Sequence, residues 1–474
     1  MKAILANMGF VLQMTGGLTI IPIVTSFALN ETSAIISLLI TATAFFALGF
    51  VLNALCERKT LSFRQSCSLI VLVFVFLSII GAIPYFYVNA FNGSLYSRIT
   101  DSIFESASGF TTTGFSMITD VAAIPKSIML YRSLTQFIGG IGIVLILLAF
   151  FYPDDKLREF SRSMGLGGNH KIKRTFIIIL LIYLSYSVIM GGIAFFFGYK
   201  DIVTLASFIF SALSSGGFSP VNDIAASATA FPLNFILIIS MLFGASNFVV
   251  VAEIFRLKFK EFIKSEIPIF IIIITIAVAV VNLVFNLSFF DSLFHVVSAT
   301  TTTGFSYLPL GEFSNQLKLF LIVLMFIGGA SFSTAGGIKI YRLILLFKSI
   351  KKAVIDSITE KNSVVRLFGR EYSNGEIIHS LILIILMAAV ILGSAAAVSS
   401  YGFSFVDSLF ETTSAVATTG LSVGIISPSL ADGLKWLFIS LMILGRVEIM
   451  AFLVMIAREP KITKEPNKEE PNKE

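Results

Sequence analysis

Residues 106–116 read SASGFTTTGFS, and residues 298–306 read SATTTTGFS. These runs of small, hydroxylated residues lie in a chain of 474 residues that is 56% hydrophobic and 13% charged. Soluble domains carry about 25% charged residues, so the composition is typical of a protein with many membrane spans. Because glycine and threonine are weak helix formers, the repeated stretch needs a structure other than an ordinary lipid-facing helix.

The pattern occurs four times in one register. A serine stands six residues before a glycine, and a bulky apolar residue and a second serine follow it. The motif glycines are Gly114, Gly217, Gly304 and Gly420. Four aligned copies indicate four repeats of one structural unit.

Each copy contains a short segment that ends near the motif glycine. These segments hold roughly a dozen residues, whereas a membrane span needs about 20. Each begins with a residue type that suits a helix N-cap. The expected caps are Asp101, Thr204, Asp291 and Asp407. A half-membrane helix that returns as extended chain fits this length, and irregular backbone at such depth is tolerated where it lines a water-filled path.

Four such pore loops around one axis predict a cation filter. Extended backbone at residues 112–115 and their equivalents turns carbonyl oxygens inward, which replaces the hydration shell of an ion. Glycine permits the positive φ that aims successive carbonyls to one side. Because the filter stretches contain no carboxylate, a monovalent cation is favoured over a divalent one. The alternative is that these small residues serve helix packing.

Ten apolar runs are long enough to be spans. They cover about 3–28, 33–55, 66–90, 127–152, 175–198, 231–254, 267–288, 316–347, 377–399 and 433–457. With Met1 inside, the outer connections hold only six of the 34 Lys and Arg residues. The positive-inside rule therefore places both termini in the cytoplasm. We expect a multi-pass protein of the cytoplasmic (inner) membrane.

The repeats predict six segments along the chain. Two extra N-terminal helices precede four pore repeats, and a charged tail without periodicity follows them, which we expect to be disordered. The segments are 1–64, the pore repeats 65–165, 166–260, 261–365 and 366–458, and the cytoplasmic tail 459–474.

The eighth apolar run is interrupted near its middle. Residues 328–337 read GGASFSTAGG, and only Phe332 among them is large. Glycine in a helix interior costs about 1 kcal/mol relative to alanine, so the helix is expected to break here. A loop across the pore is our interpretation, with a glycine-rich packing kink as the alternative. The predicted gating loop, 328–338, includes Gly328, Gly329, Ser331, Ser333, Thr334, Gly336 and Gly337.

Arg446 lies midway along the last apolar run. A central arginine costs at least about 2.5 kcal/mol on insertion scales and therefore needs a partner. Glu448 is two residues away and lies on another helix face. The carbonyls of the loop 328–337 are the expected partners, which makes Arg446 a second gate candidate.

Acidic residues near the start of the short segments have two interpretations. They make the outer mouth of the pore negative, or they are helix-start charges that the dipole stabilises. The residues are Asp101, Glu105, Asp407 and Glu411. His295 occupies the equivalent place in the third copy, where we expect an ordinary hydrogen-bonded surface residue.

The four-copy motif resembles the Trk/Ktr/HKT superfamily of potassium transporters. The resemblance covers nearly all of 66–457, and the two N-terminal helices resemble the TrkH branch. It implies an all-α polytopic membrane protein of ten spans, in which four fused helix–pore-loop–helix repeats form a pseudo-four-fold pore. The family's filter residues fall on Thr112, Thr113, Gly114, Ser215, Gly216, Gly217, Thr302, Thr303, Gly304, Thr418, Thr419 and Gly420.

The resemblance also implies a function and partners. In this family, glycine in all four copies accompanies preference for K⁺ over Na⁺, and the loop with its arginine obstructs the pore. The second copy departs from the pattern with SSGGF in place of TTTGF. Expected partners are a second copy of the chain and a TrkA-like cytosolic nucleotide-binding subunit, with no nucleic acid. The basic segments 154–174 and 348–370 are candidate docking surfaces, with the ordinary positive-inside bias as the alternative explanation of their charge.

Three classes of function compete. The first is a potassium-uptake permease, and a less selective Na⁺/K⁺ path is its nearest variant. The second is a cation-coupled secondary transporter, which the outer position of all four motifs disfavours because carriers place broken helices near the midplane. The third, an intramembrane enzyme, lacks HExxH and GxSxG motifs. We therefore expect a transporter and not an enzyme.

Overall fold

The computed structural model of the chain describes residues 2–56, 61–142, 172–359, 364–368 and 370–456. The predicted tail 459–474 and most of the segment 154–174 lie outside these residues. The last ten residues of the apolar run 127–152, 143–152, also lie outside them.

Three helices precede the first repeat. They are α1 (Lys2–Leu18), α2 (Ile20–Ala28) and α3 (Thr32–Leu55). An added Cβ on Gly9 would lie 2.6 Å from the Gly49 carbonyl oxygen, and an added Cβ on Gly49 would lie 2.6 Å from the Gly9 carbonyl oxygen. The two glycines therefore allow α1 and α3 to cross in backbone contact, as small residues do between membrane helices.

The first repeat contains the longest of four short helices that end at the motif. Its helices are α4 (Phe63–Ile80), α5 (Ile83–Tyr87), α6 (Leu95–Phe110) and α7 (Lys126–Phe137). A π-helical turn at Ile138–Gly142 follows α7. Ser62 and Gln65 form a capping box that starts α4, because each side chain bonds the other's backbone N–H.

The second repeat contains two helices that meet at a sharp bend. Its helices are α8 (Ile172–Phe196), α9 (Ile202–Leu213), α10 (Ile224–Thr229), α11 (Leu233–Gly244), α12 (Phe248–Phe255) and α13 (Phe259–Ile263). The axes of α11 and α12 differ by 110°. Asn247 caps α12 by accepting from the backbone N–H groups of Val249 and Val250, so the chain restarts its helix in a new direction.

The third repeat has the predicted helix break. Its helices are α14 (Ile267–Phe285), α15 (Phe289–Thr300), α16 (Asn315–Ile327) and α17 (Ile340–Thr359). The interruption between α16 and α17 confirms the predicted break at 328–337. A two-stranded antiparallel hairpin, β1 (Val365–Leu367) and β2 (Arg370–Tyr372), follows with Arg366 opposite Glu371.

The fourth repeat ends in a second bent pair. Its helices are α18 (Asn374–Ser399), α19 (Phe405–Val416), α20 (Asp432–Val447) and α21 (Ile449–Ile456). The last two differ in direction by 98°. The break falls at Glu448, whose φ is +66°.

Among the described residues, five helices are long and apolar enough to cross a membrane, or seven if each bent pair counts as one span. Large apolar side chains on the outside suit a lipid environment, and Phe196 and Leu283 are 82% and 75% exposed. The predicted helical membrane architecture is confirmed. The count of ten spans and the segment boundaries stay predictions.

The four short helices α6, α9, α15 and α19 start at other residues than expected. We call them the pore helices. Their N-caps are Ser94, Asp201, Ser288 and Ser404. The expected caps Asp101, Thr204, Asp291 and Asp407 are therefore wrong.

The physical reason is visible in α15. Ser288 accepts from the Asp291 N–H at 3.1 Å, and its hydroxyl donates to the Asp291 carboxylate at 2.7 Å. The aspartate is thus the third helical residue of a Ser-x-x-Asp start and not the cap. Asp407 has the same place after Ser404. In the second copy the N-cap is itself an aspartate, Asp201, three residues before the expected cap Thr204.

Candidate functional site

All four pore helices end in the same way, four residues before the motif glycine. In the first copy, Thr112 N–H donates to the Gly109 carbonyl at 3.0 Å and Thr113 N–H donates to the Ser108 carbonyl at 2.9 Å. The equivalent bonds occur in the other three copies. Thr112 has a φ of +56°, so the chain leaves the helix through a left-handed residue, as in a Schellman turn. The expected extended backbone is therefore wrong at this first residue.

The left-handed position is occupied by β-branched or small hydroxylated residues. Besides Thr112, they are Ser215, Thr302 and Thr418, with φ of +53°, +51° and +48°. Non-glycine residues, and β-branched ones above all, rarely adopt this region. Four strained positions in one register cluster where backbone strain is usually stored, at functional sites.

The motif glycines close the four copies into a ring. Their φ values are positive, from +76° to +89°, as the sequence predicts. An added Cβ on Gly114 would overlap the Gly216 carbonyl oxygen of the second copy. In the same way, an added Cβ on Gly217 would overlap the carbonyl oxygen of Thr303. One on Gly304 would overlap that of Thr419, and one on Gly420 would overlap that of Thr113 in the first copy. The carbonyl before each motif glycine therefore abuts the glycine of the preceding copy, and the four segments surround one axis in chain order.

Two of the four hydroxyls at the left-handed position contact the interrupted segment of the third repeat. The Ser215 and Thr334 hydroxyls are 2.8 Å apart. The Thr302 hydroxyl accepts from the Gly336 N–H at 2.6 Å. Among the described residues, the hydroxyls of Thr112 and Thr418 have no hydrogen-bond partner. Among the four hydroxyls of this position, the loop therefore hydrogen-bonds to those of the second and third copies.

The loop is fixed to α11 by backbone bonds. Ala330 N–H donates to the Ala245 carbonyl at 2.9 Å, and Thr334 N–H donates to the Gly244 carbonyl at 3.0 Å. The Thr334 hydroxyl also donates to the Gly244 carbonyl, at 2.8 Å. Ser333 bonds within the loop, to the Ala330 carbonyl. These bonds satisfy backbone groups that no helix satisfies here.

The glycines of the loop lie where side chains would not fit. Gly328 and Gly337 have positive φ and pack against each other, and an added Cβ on Gly336 would overlap the Ala417 carbonyl oxygen. An added Cβ on Gly329 would lie 2.6 Å from the Ala335 side chain. The loop backbone therefore packs directly against the second and fourth repeats, which is possible because its glycines have no side chain at the points of contact.

Glu266, just before α14, anchors the loop, and sequence reasoning missed it. Its carboxylate accepts from the Ser331 N–H at 2.7 Å and from the Ser331 hydroxyl at 3.2 Å. Asn247 donates to the same carboxylate at 3.3 Å. Glu266 is 4% exposed. A buried carboxylate with three donors is a strong local tether, because hydrogen bonds to charged groups are about twice as strong as neutral ones.

Arg446 contacts the loop, as its position in an apolar run predicts. It donates to the Thr334 carbonyl at 2.9 Å. It also donates to the Gly139 and Gly140 carbonyls of the π-helical turn, at 2.7 and 2.8 Å. Glu448 pairs instead with Arg342, at 2.9 Å.

The predicted negative outer mouth is wrong for three of its four residues. Asp101, Glu105 and Glu411 are at most 1% exposed. Glu105 pairs with Arg132 at 2.6 Å and accepts from the Met117 N–H at 2.9 Å. Burial of these carboxylates is compensated by such partners. Glu105 bonds Ser116 and Met117 and so holds the segment that follows the motif.

Glu411 has the same function in the fourth copy. It accepts from the Ser422 hydroxyl at 2.6 Å and from the backbone N–H groups of Val423 and Ile425. His295 takes this place in the third copy, where its Nε2 accepts from the Leu308 N–H at 3.4 Å. His295 is 1% exposed, so the expectation of a surface histidine is wrong.

Lysines from the helices that follow the motif link successive copies. Lys435 pairs with Asp101 at 2.6 Å, Lys318 with Asp407 at 2.8 Å and Lys126 with Asp201 at 2.6 Å. Each pair joins one repeat to the pore helix of the next, and Lys435 joins the fourth repeat to the first. Asp407 retains 30% side-chain exposure, so it alone of the four predicted mouth residues is partly accessible.

Comparisons with known proteins agree with this architecture. Residues 34–267 and 268–464 match the TrkH family model, described as a cation transport protein. The chain is 28% identical over 476 residues to an uncharacterized cation transporter of Methanocaldococcus jannaschii, with 96% of this chain and 95% of the relative covered. It is 26% identical over 434 residues to the Trk system potassium uptake protein TrkH of Escherichia coli K12, with 84% and 86% covered.

One solved structure shares the fold. The crystal structure of the potassium transporter TrkH from Vibrio parahaemolyticus superposes with a TM-score of 0.82 at 22% identity. The match covers 96% of this chain and 98% of that chain.

Proposed function

Because this chain belongs to the TrkH family of cation transport proteins, we propose that it takes up potassium ions across the cytoplasmic membrane. The observation that carries the proposal is the closed ring of carbonyl oxygens at Thr113, Gly216, Thr303 and Thr419. Such oxygens replace the hydration shell of a K⁺ ion. Its Escherichia coli relative is a Trk system potassium uptake protein, which agrees with this cargo.

The filter in this proposal consists of the twelve residues predicted from the motif. The carbonyls before the motif glycines supply one layer of ligands, and the hydroxyls two residues before the glycines supply a second. The pore helices end at this ring, so their C-terminal partial negative charges favour a cation there. K⁺ is thus the cargo rather than a resident cofactor.

The gate in this proposal is the loop 328–338 with Arg446. The loop contacts the ring at Ser215 and Thr302, and Arg446 brings a positive charge next to it. A cation that leaves the ring meets both a steric and an electrostatic barrier. Opening therefore requires the loop to leave Ser215 and Thr302.

Growth on limiting potassium tests the uptake proposal. The chain is expressed in a bacterium that lacks its own potassium-uptake systems, and rescue of growth at low potassium is expected. Gly192→Ser is the matched control, because an added Cβ on Gly192 meets nothing within 4 Å. If the wild-type chain and this control are both present in the membrane but neither rescues growth, potassium uptake is refuted.

A second candidate is a less selective path for Na⁺ and K⁺, or a cation-coupled carrier. The departure of the second copy, with Gly216 in place of threonine, is the observation behind this candidate, because one quadrant of the ring then differs from the other three. Flux into liposomes under separate K⁺, Na⁺ and H⁺ gradients distinguishes the candidates. Uptake that requires a Na⁺ or H⁺ gradient would favour the carrier.

We also propose a homodimer, a TrkA-like cytosolic nucleotide-binding subunit as partner, and cytoplasmic termini. The relatives' names place them in Trk systems, and the basic stretch 348–370 offers a docking surface.

The mass of the detergent-solubilised protein tests the dimer. Labelling of a terminal tag in intact and permeabilised cells tests the orientation, and labelling in intact cells would refute it.

A further inference from the structure

The second quadrant of the ring lacks a side chain that the others have. The residue before the motif glycine is threonine in the first, third and fourth copies and Gly216 in the second. In the first copy the Thr113 hydroxyl lies 2.8 Å from the Thr111 hydroxyl. The third copy has the same pair, Thr303 and Thr301. Gly216 offers nothing for such a contact.

Gln136, on α7 of the first repeat, fills this space. It is fully buried. Its Nε2 donates to the Gly216 carbonyl at 2.6 Å, and its Oε1 accepts from the Phe218 N–H at 3.4 Å. An added Cβ on Gly216 would lie 2.6 Å from Oε1 and 2.8 Å from Nε2. A side chain at 216 would therefore displace the Gln136 amide from its present position.

The same helical position in the other repeats is occupied by methionine. Gln136 stands three residues before Gly139, and the equivalents stand three residues before Gly244, Gly328 and Gly445. Three of these glycines occupy the same structural position in their repeats: Gly139, Gly244 and Gly445. An added Cβ on each would overlap the carbonyl oxygen of the last residue of the pore helix in the same repeat. The equivalents are Met241, Met325 and Met442, and all are fully buried. An amide thus occurs where the ring lacks a threonine, and a thioether occurs elsewhere.

We infer that Gln136 is a positioning residue for ion selectivity, and this inference rests on the proposed filter. The Gln136 amide N–H holds the Gly216 carbonyl in the ring. Because the carbonyl oxygen accepts this hydrogen bond, less of its negative charge is available to a K⁺ or Na⁺ ion in the ring. The second quadrant is therefore a rigid ligand of reduced field strength. Selectivity between K⁺ and Na⁺ depends on the number and field strength of the coordinating dipoles, and a weaker field favours the larger, more weakly hydrated K⁺.

Gln136→Met tests the inference, because methionine is the residue at the three equivalent positions. The ratio of Na⁺ to K⁺ permeability in liposomes is expected to rise by about 2- to 10-fold, the effect of one hydrogen bond. Gln136→Met with Gly216→Thr reproduces the pairing of the other copies and is expected to return the ratio towards wild type. Met241→Leu is the control, and its ratio is expected to stay at the wild-type value.

Gln136→Glu is the second variant, because it keeps the size of the side chain and replaces the donor by an acceptor. It is also expected to raise the ratio. A wild-type ratio in both single variants, or failure of both to remain monodisperse, would assign a purely structural role and overturn the inference. The outcome for the filter itself is separate, because it depends on whether wild-type protein conducts K⁺ and whether Gly114→Ser alters selectivity.

Discussion

Strain at single residues is concentrated where the four copies meet. Each copy turns through a left-handed threonine or serine and then through a glycine of positive φ. The glycine has no room for a Cβ, because the carbonyl of the next copy occupies that space. Residue identity at this position therefore controls the position of a carbonyl in the neighbouring copy as well as in its own.

Gly114→Ser and Gly304→Ser are expected to let Na⁺ permeate more easily relative to K⁺. The added Cβ would push the Gly216 or Thr419 carbonyl away, and serine also disfavours the φ of +89° at both positions. The measurement is the Na⁺ to K⁺ permeability ratio in liposomes, with Gly192→Ser as control. Unchanged ratios in both variants would remove these glycines from the filter.

The register of the motif predicts the glycines and their positive φ, because one spacing recurs four times. It does not predict which residues support them. Lys435 and Asp101 are far apart in the sequence, and Gln136 is an ordinary polar residue in its own helix. Their roles depend on contacts between repeats, for which a single sequence has no local signal. The burial of Glu105 and Glu411 was missed for the same reason.

At the scale of elements, interruptions of helices matter more than the helices themselves. The break between α16 and α17 was predicted from the weak helix formers of 328–337. The π-helical turn was not predicted as a ligand for Arg446. The loop, α11 and α20 thus meet through backbone oxygens.

Deletion of residues 330–336, and separately Arg446→Ala, are expected to raise K⁺ flux in the closed state. The deletion removes the contacts with Ser215 and Thr302, and the substitution removes the positive charge. Flux from K⁺-loaded liposomes is the measurement, and Arg366→Ala on the exposed hairpin is the control. Wild-type flux in both variants would exclude this loop as the gate.

Glu266→Ala is expected to raise the same flux, by less than the deletion. The carboxylate holds Ser331 from outside the ring, so its loss loosens one end of the loop and leaves Thr334 and Gly336 in place. Glu266→Gln is the matched variant, because its amide oxygen still accepts from Ser331. A larger effect for glutamine than for alanine would contradict the tether.

At the scale of the whole molecule, ion pairs between repeats hold the ring together. The Lys435–Asp101 pair has side-chain exposures of 1% and 2% and joins the fourth repeat to the first. A buried pair is weak evidence for added stability, but removal of one partner leaves an uncompensated buried charge. The closure of the ring is therefore sensitive to either residue.

Lys435→Met is expected to lower the free energy of unfolding by about 3–5 kcal/mol. Arg366→Ala, which removes the exposed pair with Glu371, is expected to lower it by less than about 1 kcal/mol. Thermal unfolding of both variants in one detergent measures the difference. Equal midpoints for the two variants would show that the buried pair does not hold the repeats together.

The ring joins four segments that are encoded separately, at Gly114, Gly217, Gly304 and Gly420. In an assembly of four identical subunits, a single codon change would alter every quadrant at once. In this chain it alters one quadrant of the ring and displaces one carbonyl of the adjacent quadrant. In the proposed filter, single codon changes therefore shift ion preference in small steps, and Gly216 with its partner Gln136 has the form of one such step.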